Sequence, residues 1–526
     1  MKKALLGGAL VAVLMAMGGA AAQNSPFESN GSIAPRGRID ELVFDRLEEK
    51  GIQPARLSSD GAFVRRVFLD VIGTLPTAGE AKAFLLDSDA DKRAELIDRL
   101  LERDEFADYW ALKWGDLLRV KAEFPINLWP NAVQAYHRWI HKCIEQNVPY
   151  DRFARELLTS TGSNFRVPQV NFYRALQAKD PATIAAAVAL TFMGERVDNW
   201  APERFAELTR FFSHVGFKRT REWKEEIVYF DAAGLADLGR TKGAQWVTFP
   251  DNRRIALIPD KDPRQLFAGW LIRPENPWFA RNIVNRAWYW LLGRGIIHEP
   301  DDSRPDNPPS NPELLAHLER EFVRSGYDLK ALFRSILNST TYQLSCMPRS
   351  DHQEAAALFA YYPVRRLDAE VLADALCQIT GTTEEYQSPI PEPFTFIPET
   401  QRSIALSDGS ITSPFLEMFG RPPRDSGLEG ERNNAPSARQ WLHLLNSSHV
   451  RAKLTNGSGL RNILHGGGES RWKAQELYLT VLSRYPMRDE FEAAQEYFQS
   501  SGLNASEAAV DVAWALLNNP EFLYRH

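Results

Sequence analysis

Between His298 and Asp306 the chain packs His298, Glu299, Asp301, Asp302 and Asp306 into nine residues. Carboxylates at that density could hold a hard cation through oxygen ligands, with Asn307 as a further donor. Facing each other across a cleft, two of them could act as general acid and base. The spacing departs from the calcium loop of helix-loop-helix proteins, so Asp301, Asp302 and Asp306 could hold calcium only weakly. A structural role explains more of the letters. Asn311-Pro312-Glu313 places a capping Asn before a Pro at the first helical position, with an acid in the first turn. "PELLAHLEREFVRSG" then predicts a helix ending at Gly326, and Asp301 and Asp302 would cap backbone amides or pair with Arg294 and Arg304.

A second group is spread along "RRLDAE", "GRPPRD" and "GERNN". Arg365, Arg366, Asp368, Arg421, Arg424, Glu431 and Arg432 could build a buried polar network or an anion pocket. If the fold holds a ligand site, it is expected among Asp301, Asp302, Arg421, Arg424, Glu431 and Arg432; no residue is assigned a catalytic role. His137 and His141 share a helix face at i and i+4, which suits zinc. Arg138 stands where an H-E-x-x-H motif has its general base, and half-buried or surface histidines are the simpler reading. "LHGGGESRW" is similar to the glycine-rich oxyanion loops of esterases, yet the chain has no G-x-S-x-G elbow, no Walker A loop and no dinucleotide fingerprint. It is read as a loop before a helix capped near Ser470.

The elements that must position these groups are mostly helices. "RIDELVFDRLEEK" spaces Ile39, Leu42, Val43 and Leu47 on one face, with Gly51 as a stop. Similar patterns run through residue 215. After Gly216, "EEIVYFDAAG", "QWVTFPDNR" and "RIALIPD" are short, rich in β-formers and bounded by turn residues. Helices resume at "DPRQLFAGWLI" and "NPWFARNIVNRAWYWLLG"; residues 381–437 are dense in Pro and Gly; the tail is helical again. The expected fold is mainly α: two helical bodies joined by a small β-ribbon, with Pro/Gly-rich irregular inserts. The divisions are a signal peptide at 1–22, an N-terminal helical domain at 23–215, a ribbon or linker at 216–262 and a mostly helical C-terminal domain at 263–526. No repeat of solenoid period occurs.

"MKKALLGGALVAVLMAMGGAAAQ" joins a basic start, an apolar run and a small-residue exit at Ala20–Ala22, the pattern of a secretory signal peptide. No later segment approaches the ~20 apolar residues of a membrane span. The expected protein is therefore secreted or periplasmic, without a membrane span once the signal is removed. A net charge of −6 without a basic run argues against nucleic acid as a partner. Three cysteines, Cys143, Cys346 and Cys377, cannot form a disulfide scaffold; Cys143 and Cys377 read as small buried hydrophobes.

"FVRRVFLDVIGTLPT", "AKAFLLD" and "RAELIDRLLERDEFADYWALKWGDLLR" resemble the first domain of a two-domain family of secreted proteins abundant in Planctomycetes and Verrucomicrobia, the domain-of-unknown-function families 1549 and 1553. "NPWFARNIVNRAWYWLLGRGIIHEPDD", "NPPSNPELLAHLEREFVRSGYDLKALFRSILNSTTYQLS", "RRLDAEVLADAL", "FGRPPRD" and "WALLNNPEF" are similar to its second domain. The resemblance implies export but no established activity. Longer members carry a c-type cytochrome domain. Members commonly show a CxxCH-like segment where this chain reads "TFMGERVDNWAPERF", and Cys-x-Cys-Glu-Arg where it has Leu428 and Gly430 before Glu431 and Arg432. Covalent haem needs those thiols and that His, so no cofactor is expected. The resulting expectation is an exported binding or scaffold protein with an extracellular glycan or protein partner. The alternatives are an extracellular glycan hydrolase or lyase using Asp and Glu, and a haem-free partner of a c-type cytochrome.

Overall fold

The computed structural model describes residues 25–465 and 470–526. Helix takes 53% of the chain and strand 6%, so the protein is mainly α with small ribbons. The proposed signal peptide lies outside the described residues.

Local rules account for most helix boundaries. Arg38–Glu49 buries Ile39, Leu42, Val43 and Leu47, and the left-handed Gly51 (φ 67°) follows it. Asp60–Val71 is capped by Ser59, whose hydroxyl accepts from the Ala62 amide; it is buried along nearly its whole length and carries Arg65, Arg66 and Asp70 into the interior. Thr77 and Glu80 form a reciprocal capping box at the start of Ala78–Leu86. Asp104–Leu117 then runs alongside Pro130–Glu145, and its aromatic face is buried.

The β structure around the expected ribbon is two separate pieces. Glu226–Phe230 pairs antiparallel with both Val215–Arg219 and Gly162–Ser163, while Gln245–Thr248 pairs with Arg254–Leu257. Between them lies a helix absent from the periodicity reading, Ala232–Lys242. Asp231 caps it through the Gly234 amide, and Leu235 is its one buried side chain. With so narrow an apolar stripe the sequence offered little helical signal.

The second stretch of helices packs directly on the first. Trp290, on Phe279–Leu292, meets Trp110 and Trp114 of Asp104–Leu117 at ring-centroid separations of 5.1 and 6.0 Å. Phe333, on Leu329–Leu337, packs against Trp110 at a ring-centroid separation of 4.5 Å. One buried apolar cluster reaches from Ile39 to Leu523. Near the end of the chain, Tyr524–Arg525 pairs antiparallel with Arg365–Arg366, which brings three arginines to one short ribbon.

Candidate functional site

That ribbon forms one wall of an interior cleft of about 250 Å³. Arg365, Arg366 and Arg525 come from the ribbon, Asp368 from the N-cap of Ala369–Thr380, and Lys113 from Asp104–Leu117. Tyr289 and Trp290 come from the end of Phe279–Leu292, and Glu429, Arg432 and Asn434 from the Pro/Gly-rich segment. Lys113 belongs to the apolar face of "YWALKWGDLL", where an ammonium is held only if it has a partner.

That partner is Asp368, 2.9 Å away, with both side chains about nine-tenths buried or more. Asp368 also accepts from Tyr109 Oη at 3.2 Å, Arg525 Nη2 at 3.0 Å and Asn434 Nδ2 at 2.7 Å. Burial alone would raise its pKa, but Lys113, Arg525 and Arg432 outweigh burial and hold it well below the usual carboxylate range. Arg525 and Arg365 share Asp70 at 3.2 Å each, and Asp70 accepts from the hydroxyls of Tyr342 and Tyr362 as well.

Glu429 is placed differently. Its Oε2 pairs with Arg286 at 3.0 Å and its Oε1 accepts from Trp290 Nε1 at 3.0 Å. Burial raises its pKa; Arg286 opposes this and Asp301 adds to it. Arg432 grips Glu370 and Asp116 at 2.6 Å each. Arg366 is the exception among the cleft's five cations, with no carboxylate inside 4 Å among the described residues. Its Nη2 donates to the carbonyls of Phe419 at 2.5 Å and Asn433 at 3.1 Å. Its Nε and Nη1 are buried without a partner, and the residue is 6% exposed.

The residues singled out from sequence are divided by the fold. Arg432 lines the cleft. Arg424 lies in the wall behind it, 2.8 Å from Asp116 and bonded to three carbonyls, in a left-handed conformation (φ 60°) that costs a long side chain about 1–2 kcal/mol. Arg421 donates to the carbonyls of Ile411 and Asp408 and sits 3.5 Å from Glu370. Glu431 accepts from the amides of Asp425 and Ser426.

The acid-rich loop does not act as one group. Asp301 turns inward to Arg286 at 2.7 Å and accepts from the Glu429 amide, whereas Asp302 and Asp306 both turn to Arg304. Among the described residues no three His, Cys, Asp or Glu side chains gather as a metal-holding group, including Asp301, Asp302 and Asp306. Asn311 caps Pro312–Arg324 through the Leu314 amide. Asp302 takes Arg304, as expected from the sequence, and Asp301 accepts a backbone amide, also as expected, while its cation is Arg286 and not Arg294.

The other candidates are dispersed as well. His141 pairs with Asp108 at 3.1 Å while the His137 Nε2 is buried without a partner. Gly466–Gly468 lie outside the described residues. Cys377 is not simply an apolar filler: Lys453 Nζ lies 3.4 Å from its sulfur, and it lines a second cleft of about 340 Å³ with Asp374, Glu384 and Arg402. The acids of that cleft are engaged, Asp374 by the amides of Ser403 and Ile404 and Glu384 by His449 and Lys453.

Lys113, Glu429 and Arg525 escaped sequence reasoning. The only signal was a lysine interrupting a helix face of Trp, Leu and Ala.

A family model for proteins of unknown function termed PSCyt2 (DUF1549) matches residues 38–212, and a second, termed PSD1 (DUF1553), matches residues 263–498. The chain belongs to this two-domain family. No curated protein and no solved structure matches it. The PSCyt2 segment supplies Lys113 to the cleft, the PSD1 segment supplies Asp368, Glu429 and Arg432, and Arg525 comes from beyond both.

Proposed function

We propose that the protein is an exported binding protein whose ligand, a small polar molecule, sits in the cleft between the PSCyt2 and PSD1 segments. One observation carries this reading. Asp368, the cleft carboxylate held well below the usual carboxylate range, already accepts from Lys113, Arg525, Tyr109 and Asn434. A carboxylate with its lone pairs committed to fixed donors is a poor base or nucleophile. What remains is a rigid, charged, preorganised wall, which suits recognition. Export is supported by the Lys2–Lys3 start, the apolar run and the Ala20–Ala22 exit. Among the described residues no helix is long and apolar enough to cross a membrane.

The second reading is a glycan hydrolase or lyase. It is favoured by the opposite pKa shifts of Asp368 and Glu429 in one cleft, the pattern that separates an acid from a base. Turnover assays on chromogenic glycosides, run beside thermal-shift and native mass-spectrometric binding assays with neutral sugars, uronic acids and amino acids, separate the two. Saturable binding without turnover is expected. Turnover abolished by Glu429→Gln would overturn the binding reading.

A further inference from the structure

The cleft is built with more positive than negative charge. Its lining has five cations, Lys113, Arg365, Arg366, Arg432 and Arg525, against two carboxylates, Asp368 and Glu429. Carboxylates behind the wall answer most of these: Asp70 faces Arg365 and Arg525, and Asp116 and Glu370 face Arg432. Arg366 has no carboxylate within 4 Å among the described residues; Asp368 acts on it only from further off. Its guanidinium keeps two nitrogens without partners although it is almost fully buried. Burying a charge without a directly paired carboxylate is costly, and the free Nε–H and Nη1–H groups can each donate to an oxyanion. Asn434, next in the chain to the Asn433 whose carbonyl Arg366 holds, gives its amide nitrogen to Asp368, and its Oδ1 is buried without a donor. An unfilled acceptor of that kind takes a hydroxyl. At about 250 Å³ the cleft far exceeds the roughly 10–15 Å³ that one water needs, so a bare ion would leave most of it empty.

We infer that the cleft is a binding site for a small hydroxylated molecule bearing one oxyanion, an acidic sugar, with the oxyanion on Arg366 and a ligand hydroxyl on Asn434 Oδ1. This rests on the binding reading above and adds the ligand class to it. Carboxylate, sulfate ester and phosphate share the chemistry that Arg366 recognises. Lys113, Arg365, Arg432 and Arg525 add positive potential, while Glu429 opposes the anion. Glu429 is the cleft acid held nearer to its neutral form, so binding tightens as pH falls and Glu429 gains its proton.

The test is titration calorimetry on the full chain with glucuronate, galactose 6-sulfate, glucose 6-phosphate and neutral glucose, with inorganic sulfate and phosphate alongside. At least one acidic sugar should bind, more tightly than glucose and than the bare ions. Arg366→Gln should weaken it about tenfold or more, the scale of a lost charge-assisted hydrogen bond, and Arg366→Lys should weaken it less. Glu429→Gln should tighten it and flatten its pH dependence. If Arg366→Gln fails to fold, Glu429→Gln decides: unchanged or weaker acidic-sugar binding overturns the inference. Glucose binding as well as the acidic sugars would overturn the ligand class and leave the binding reading standing. No binding by any of these probes, in a protein that also fails the wider ligand panel, would overturn both.

Discussion

Lys113 and Asp368 lie 255 residues apart in the chain and 2.9 Å apart in the fold. Lys113 has Asp368 as its one carboxylate among the described residues, whereas Asp368 has three further donors. The two halves of this ion pair are therefore unequal. Asp368→Leu strands a buried ammonium and should cost about 3–5 kcal/mol. Lys113→Met leaves Asp368 with Tyr109, Arg525 and Asn434 and should cost about 1–3 kcal/mol. Urea unfolding of both variants checks the order; a larger loss for Lys113→Met would contradict it.

Two helical glycines should respond to alanine with opposite signs. A Cβ on Gly115 would sit 3.1 Å from the buried Arg424 guanidinium, which Asp116 and backbone carbonyls fix in place. Overpacking of this kind costs about 1–3 kcal/mol and outweighs the gain of up to about 1 kcal/mol in helix propensity. Gly269, inside Pro263–Leu271, has open space around its Cβ position. Melting temperatures should fall for Gly115→Ala and rise for Gly269→Ala.

Asn311 has two roles. Its Oδ1 caps the helix through the Leu314 amide at 3.0 Å, and its Nδ2 donates to the Leu42 carbonyl at 2.9 Å, tying the second family segment to the first. Asn311→Ser keeps the cap and loses the tie, while Asn311→Ala loses both. Cap loss alone costs about 1 kcal/mol and the buried carbonyl adds a similar amount, so chemical denaturation should rank Ala below Ser and Ser below the parent.

Buried His137 has its pKa lowered to about 3, by desolvation first and then by Arg424 and His141. The unfolded chain binds this proton near 6.5, so between about pH 6.5 and 3 the unfolded state carries more protons than the folded one. Stability from this group is complete above pH 6.5 and is lost as pH falls through that window. Differential scanning calorimetry from pH 7 to 4 should show a shallower decline for His137→Gln than for the parent. Parallel curves would refute the assignment.

Much of this was legible in the sequence for a physical reason. Helix periodicity, caps and stops are short-range properties: Ile39, Leu42, Val43 and Leu47 had to share a face, and Asn311-Pro312-Glu313 had to start a helix. Family membership was legible too, because it rests on strings such as "NPWFARNIVNRAWYWLLGRGIIHEPDD". The partners of the charges were not. Neighbouring Asp301 and Asp302 look alike as letters, yet packing sends one to buried Arg286 and the other to Arg304 at the surface. Arg525 meets Asp70 across 455 residues, and Lys113, odd among Trp, Leu and Ala, has no visible partner until the fold brings Asp368 to it. Local pattern set the helices. Desolvation, which exists only once distant segments pack together, decided which side chains became the cleft.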